Sequence, residues 1–130
     1  MRIHPSHRRH LGNFVETLAL NFLQRKGLRL LARNYQCRAG EIDLIVLQGN
    51  TLVFVEVRYR STSSYGSAIE SVTRSKQAKI VRCARHFVMR YPDHSRRNLR
   101  FDIVGISKTE NSAAYQIEWL ENAFEPGYQP

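Results

Sequence analysis

Residues 40–60 constrain this chain more than any other stretch. They read Gly40-Glu41-Ile42-Asp43-Leu44-Ile45-Val46-Leu47, then Gln48-Gly49-Asn50-Thr51, then Leu52-Val53-Phe54-Val55-Glu56-Val57-Arg58-Tyr59-Arg60. Two aliphatic, β-branched runs around a Gly-Asn pair predict a β-hairpin. Side chains alternate between the faces of a strand. Leu52, Phe54, Glu56, Arg58 and Arg60 therefore share one face, and Val53, Val55, Val57 and Tyr59 the other. In the first run, Glu41 and Asp43 share a face with Ile45 and Leu47. Both faces are largely apolar, as in strands covered on two sides. Glu41, Asp43 and Glu56 lie inside these strands, where charge is costly unless something pairs with it.

The turn sets the register. A two-residue loop, Gly49-Asn50, pairs Gln48 with Thr51 and places Asp43 opposite Glu56 and Glu41 opposite Arg58. A four-residue loop gives the same pairing; a three-residue loop shifts it by one. Like charges directly opposite on a sheet repel. Two carboxylates held together need a shared proton or a cation. Oxygen-only ligation points to Mg²⁺ or Mn²⁺. The competing reading is a buried network in which arginines, Arg58 and Arg38 among them, neutralise the acids.

Charge bears on the same question. The net charge is +9, from twenty Lys and Arg against eleven acids. Such a balance predicts a polyanionic partner, nucleic acid before a membrane surface. Residues 1–60 hold ten Lys and Arg but only four acids, Glu16, Glu41, Asp43 and Glu56. Three of those four sit in the hairpin. At 130 residues the chain is read as one domain, 1–130. No apolar run reaches membrane-spanning length. The N-terminus has no h-region of a signal peptide. Cys37 and Cys83 form no Cys-x-x-Cys pattern, which argues against zinc and for free thiols. A cytoplasmic location is the default expectation.

Residues 1–10 combine His4, His7 and His10 with Arg2, Arg8 and Arg9 and are read as a mobile basic arm, Pro5 arguing against packing. An amphipathic helix is predicted over 11–26, with Leu11, Val15, Leu18, Ala19 and Phe22 as its apolar stripe and Gly27 as its stop. Glu16 lies at the edge of that stripe, placed either to face the sheet or to be solvated. A first strand follows over 28–37, with Arg38-Ala39-Gly40 turning into the hairpin. Ser61–Gly66 is a polar loop able to cover a substrate. A long helix is predicted from Thr73, its N-cap, to Tyr91. Its buried stripe is Ile80, Val81, Ala84, Phe87 and Val88. Arg74, Lys76, Lys79, Arg82, Arg85 and Arg90 line much of the remainder with no acids among them, which favours a phosphate-facing surface. A strand over 99–106 carries Asp102, read chiefly as a partner for an arginine. An edge strand over 115–120 and a frayed tail over 121–130 complete the chain. The order α-β-β-β-α-β-β is an α/β sandwich around a mixed sheet.

An acid on the first helix, an acid on a strand and an acid-x-basic triplet on the next strand resemble the PD-(D/E)XK nucleases and their restriction-endonuclease-like fold. The chain resembles more closely the YraN-like family of small bacterial proteins within that superfamily. The resemblance rests on Gly12, Glu16 and Ala19; on Asn34 followed by Gly40-Glu41-Ile42-Asp43-Leu44-Ile45; on Phe54-Val55-Glu56-Val57-Arg58-Tyr59-Arg60; and on Gly66, Lys76 and Arg100-Phe101-Asp102. It covers roughly residues 8–124. It implies Asp43 and Glu56 as metal ligands and catalytic acids. Glu16 becomes an accessory ligand or the group that orients a metal-bound water. Arg58 stands where the pattern expects Lys. An arginine keeps its proton, so Arg58 can stabilise phosphate charge but cannot act as a base. Lys76 or Lys79 on the long helix could take the place of the missing lysine.

The function expected from these residues is divalent-metal-dependent hydrolysis of DNA phosphodiesters, with structured DNA as a candidate substrate. The alternative is a non-catalytic nucleic-acid-binding protein on the same fold, which the arginine at position 58 favours. A basic structural protein of a ribosome or nucleoid would have no use for acids on adjacent buried strands.

Overall fold

The computed structural model describes residues 5–61, 70–108 and 113–127, and their side chains except those of residues 5–10 and 61. Helix α1 (Pro5–Arg25) leads into strands β1 (Arg29–Cys37), β2 (Gly40–Gln48) and β3 (Thr51–Ser61). Helix α2 (Arg74–Arg90) and a 3₁₀ turn (Pro92–His94) precede β4 (Asn98–Lys108) and β5 (Tyr115–Phe124). The element order is the expected α-β-β-β-α-β-β.

The five strands lie in sequence order, β1-β2-β3-β4-β5. Every neighbouring pair is antiparallel except β3 and β4, which run parallel and so need a crossover. Helix α2 supplies it and packs on one face of the sheet, while α1 packs on the other. Ile80, Cys83, Ala84 and Phe87 of α2 join Leu52, Phe54, Phe101 and Ile103 in one core. Val15, Ala19, Leu20 and Leu23 of α1 join Val53, Val55, Val57, Val104 and Ile106 in the other. The alternation expected along β3 is therefore realised, and both of its faces are buried.

The tight turn is realised too. Gly49 adopts φ of +58°, a left-handed conformation that glycine reaches without strain, and Gln48 pairs with Thr51. Thr73 caps α2 as expected, its hydroxyl accepting from the Lys76 N–H at 3.1 Å. Arg90 and Tyr91 close the helix before Pro92. Cys37 and Cys83 are free thiols. They touch one another across β1 and α2, and burial pushes the Cys83 thiol up to about 12.

Two boundaries differ from expectation. Helix α1 starts at Pro5, not Leu11. Proline at the first helical position lacks only an N–H that the first turn leaves unpaired, and its φ is already helical. So the segment read as a basic arm is helical from Pro5; residues 1–4 lie outside the described residues. Strand β5 runs to Phe124, so residues 121–124 are not a frayed tail. Phe124 is buried and stacks on Phe101 with ring centroids 5.2 Å apart, which fastens the strand end to the core. Val88 is only half-buried; Cys83 takes the place expected of it in the α2 core.

Candidate functional site

The hairpin register runs from Gln48–Thr51 to Leu44–Val55. At the next residue the strands behave differently. The Asp43 carboxylate accepts the backbone N–H of Val57 at 2.8 Å, so a side chain occupies the position of a ladder acceptor. The side-chain alternation of β2 also breaks here: Ile42 and Ile45 both enter the α2 core, whereas Leu44 and Val46 enter the α1 core. Across from Asp43, between the pairs Arg33–Leu44 and Tyr35–Ile42, Asn34 adopts φ of +54°. A left-handed residue of this kind twists β1 locally. Glu41 and Asp43 consequently do not share a regular strand face with Ile45, and the expected opposition of Glu41 and Arg58 is replaced by other contacts.

Glu56 is 4% exposed. Its Oε1 lies 3.6 Å from Nη1 of Arg58 and 3.7 Å from Nζ of Lys76. Burial raises its affinity for a proton, and the two cations and a hydrogen bond shared with Asp43 only partly oppose that rise. Asp43 is pushed up to about 7, by burial first and then by the facing Glu56 charge and by Glu41, against the Val57 N–H and Lys76. Asp43 and Glu56 are thus brought together, as the antiparallel count requires.

Glu16 reaches this region from α1. With its amide nitrogen facing the acids, Asn34 donates to Glu16 Oε1 at 2.9 Å and to Glu41 Oε1 at 2.8 Å. Arg33 lies 3.6 Å from Glu16 and is held by the Asn13 carbonyl and the Thr17 hydroxyl, both at 2.9 Å. Burial, then the charge of Asp43, raises the Glu16 carboxyl above its ordinary value, and Arg33 acts the other way. Asn34 and Arg33 were not assigned roles from the residue pattern. Asn34 did stand in the quoted motif, and an amide among four acids was the available sign.

Arg58 is tethered. Its Nε donates to Ser71 Oγ at 3.0 Å and its Nη2 to the Ser71 carbonyl at 3.1 Å, leaving Nη1 toward Glu56. The basic residues of α2 have different surroundings. Lys76 joins the acids. Lys79 lies over the β1–β2 turn, where a Cβ at Gly40 would come within 3.8 Å of the Lys79 Cβ. Arg74, Arg82 and Arg85 line a cavity of about 460 Å³ with Glu125 and Gly127 of the C-terminal segment. Asp102 takes no part in the site. It accepts two hydrogen bonds from Arg100, one from Trp119 Nε1 and one from the Asn122 N–H, all at 2.9 Å. Residues 62–66 of the loop expected to cover a substrate lie outside the described residues.

Among the described residues no group of three or more His, Cys, Asp and Glu is placed to hold a metal ion, so Glu16 does not join Asp43 and Glu56 as a third ligand. Asp43 and Glu56 still fit Mg²⁺ or Mn²⁺. Such ions are held by one or two carboxylates, with water and substrate phosphate completing the shell. Two neighbouring carboxyls whose proton affinity is raised supply that donor set. Among the described residues no helix is long and apolar enough to cross a membrane.

Residues 15–106 match the sequence profile of the family described as "Uncharacterised protein family UPF0102". A UPF0102 protein of Saccharophagus degradans is 52% identical over 113 residues, 87% of this chain and 91% of the relative. One from Nitrosococcus oceani is 46% identical over 120 residues, covering 92% and 95%. One from Legionella pneumophila is 44% identical over 116 residues, covering 89% and 95%. The match spans most of the chain and includes α2, the hairpin and its acids, so this chain belongs to the UPF0102, or YraN-like, family, and its fold is nuclease-like.

Proposed function

We propose that this protein is a divalent-metal-dependent nuclease that hydrolyses phosphodiester bonds of DNA. The observation that carries the reading is the Asp43–Glu56 carboxyl pair, with the Lys76 ammonium 3.7 Å from Glu56. Asp43 and Glu56 would hold Mg²⁺ or Mn²⁺, and the ion would supply water activation and polarisation of a phosphoryl oxygen. Lys76 fills the place of the strand lysine that Arg58 replaces, and reaches it from the helix. Arg58, fixed by Ser71, presents one N–H toward the same carboxylate and adds positive charge where a phosphate accumulates negative charge. Glu16, held by Asn34 and Arg33, approaches from the opposite helix and can orient water beside Asp43.

One observation favours a second reading. Glu56 already has two cations beside it, so the pair is partly neutralised without metal. On that reading the protein binds nucleic acid on the same surface and does not cleave it. A cleavage assay with Mg²⁺ or Mn²⁺ across single-stranded, duplex, flap and junction DNA, alongside RNA, separates the two. The nuclease reading expects metal-dependent cleavage that Glu56→Gln abolishes. Binding without cleavage by the parent on every substrate selects the second reading.

A further inference from the structure

The cavity between α2 and the C-terminal segment is separate from the acid site. Successive residues turn by 100° around a helix, so Arg74 and Lys76 project from nearly opposite flanks of α2. Lys76 meets Glu56 on one flank. Arg74, Arg82 and Arg85 meet around the cavity of about 460 Å³ on the other. That volume falls within the range of small-ligand sites. Gln77 at its wall spends one amide N–H on the Val72 carbonyl at 3.1 Å, so the arginines provide most of its free donors. Among the described residues none of the three arginines forms an ion pair. Glu125 is the one acid in the lining. Three guanidiniums against one carboxylate leave two net positive charges in a concave space.

We propose that this cavity binds a phosphomonoester: the terminal phosphate of a nucleic-acid strand or of a free nucleotide. The proposal deepens the nucleic-acid reading but does not require that the acid site cleave. A backbone diester carries one negative charge and lies along a track. A phosphomonoester carries close to two at neutral pH and enters end-on, which suits a cavity with two net positive charges. Planar guanidinium forks bind phosphate oxygens in pairs, and three of them can surround a terminal phosphate. Ala78 and Val81 give the cavity an apolar wall against which the attached sugar or base can rest.

The test is binding by fluorescence anisotropy, in chelator so that nothing is cleaved. A short labelled single strand is prepared with a 5′-phosphate, a 3′-phosphate or free hydroxyls, and a nucleoside monophosphate and inorganic phosphate serve as competitors. The expected result is that a terminal phosphate tightens binding by the parent about tenfold. In the Arg82→Gln/Arg85→Gln double variant the phosphorylated and hydroxyl strands should bind alike. Both side chains are exposed, so the variant should keep its fold, and its melting curve verifies that. Should the variant melt early, Arg82→Glu alone carries the test. If the strand end has no effect while the nucleoside monophosphate binds in an Arg82- and Arg85-dependent way, the cavity takes free nucleotides, which supports the proposal for that source. Equal binding of phosphorylated and hydroxyl strands together with no mononucleotide binding overturns it, as does a phosphate preference that survives the double substitution. Because no divalent metal is present, none of these outcomes depends on catalysis at Asp43 and Glu56.

Discussion

Two aspartates in the same sheet, one buried and one half-buried, have opposite surroundings. Asp102 on β4 is fully buried and accepts four hydrogen bonds, two of them from a bidentate arginine. Asp43 on β2 accepts one backbone N–H and faces a second carboxyl. The fold satisfies the first acid with donors and leaves the second facing a like group, where burial raises its affinity for a proton. An acid completed by its own fold is part of the scaffold. An acid held against a like charge has capacity left for a proton, a cation or a metal-bound ligand. The donors around an acid therefore tell a structural one from a candidate active one.

The sharpest way to break this contrast is to remove Asp102. Asp102→Ala leaves Arg100, the Trp119 N–H and the Asn122 N–H without their acceptor, and should cost about 3–5 kcal/mol in urea unfolding. Asp43→Asn should cost far less, because an amide oxygen can still accept from Val57. Equal losses would mean that both acids are scaffold.

Lys76→Met sharpens the other half. If Lys76 supplies charge to the reacting phosphate, cleavage should fall by about 10²–10³-fold, the usual effect of removing one such group. Arg58→Lys should retain cleavage, since the charge stays, although the two contacts to Ser71 cannot both be kept. A larger loss at Arg58 than at Lys76 would reverse their roles.

The acids also differ in what pH does to them. Folded Asp43 keeps its proton to about pH 7, whereas its ordinary value is 3.8. The folded state therefore holds more protons between those values, and stability falls as pH rises through the window. The fall should be roughly 2–3 kcal/mol, less than the full shift allows because Asp43 is not fully buried. Asp43→Asn should flatten the profile and be more stable than the parent at pH 8. Chemical denaturation from pH 4 to 8 measures it; an unchanged profile in the variant would place the pH dependence elsewhere.

The smallest effect concerns the α2 cations outside the acid site. Each phosphate contact contributes about 0.9 to the slope of log affinity against log salt for duplex DNA. Lys79→Gln should lower that slope by up to about one contact, and Arg82→Gln/Arg85→Gln by up to about two. Unchanged slopes would put the duplex on another face.

The hairpin was legible because its information is local. Gly49 fixes the turn, the turn fixes the register as far as Leu44–Val55, and Asp43 and Glu56 are the next residues along. The break in β2 at Asp43 was not legible, because it depends on a neighbouring strand. Asn34 enters the left-handed region opposite it, and the β1–β2 register slips between Leu30 and Ala32. The extent of β5 was hidden for a similar reason: Phe124 is placed by stacking on Phe101, a contact far away in sequence. The separate place of Lys76 among the α2 cations is legible in the sequence. Positions 74, 78, 81, 82 and 85 recur along one side of a helix, and position 76 does not join them.

The central claim is that the Asp43–Glu56 pair receives a divalent cation. Calorimetric titration of Mg²⁺ and Mn²⁺ at pH 8 into the parent and the Asp43→Asn protein, without nucleic acid, tests it directly. The account predicts saturable binding by the parent and its loss in the variant. Heats that are identical for the two proteins would contradict it and leave Lys76 and Arg58 as the counter-charges, among the described residues, of an ion-pair network at Glu56.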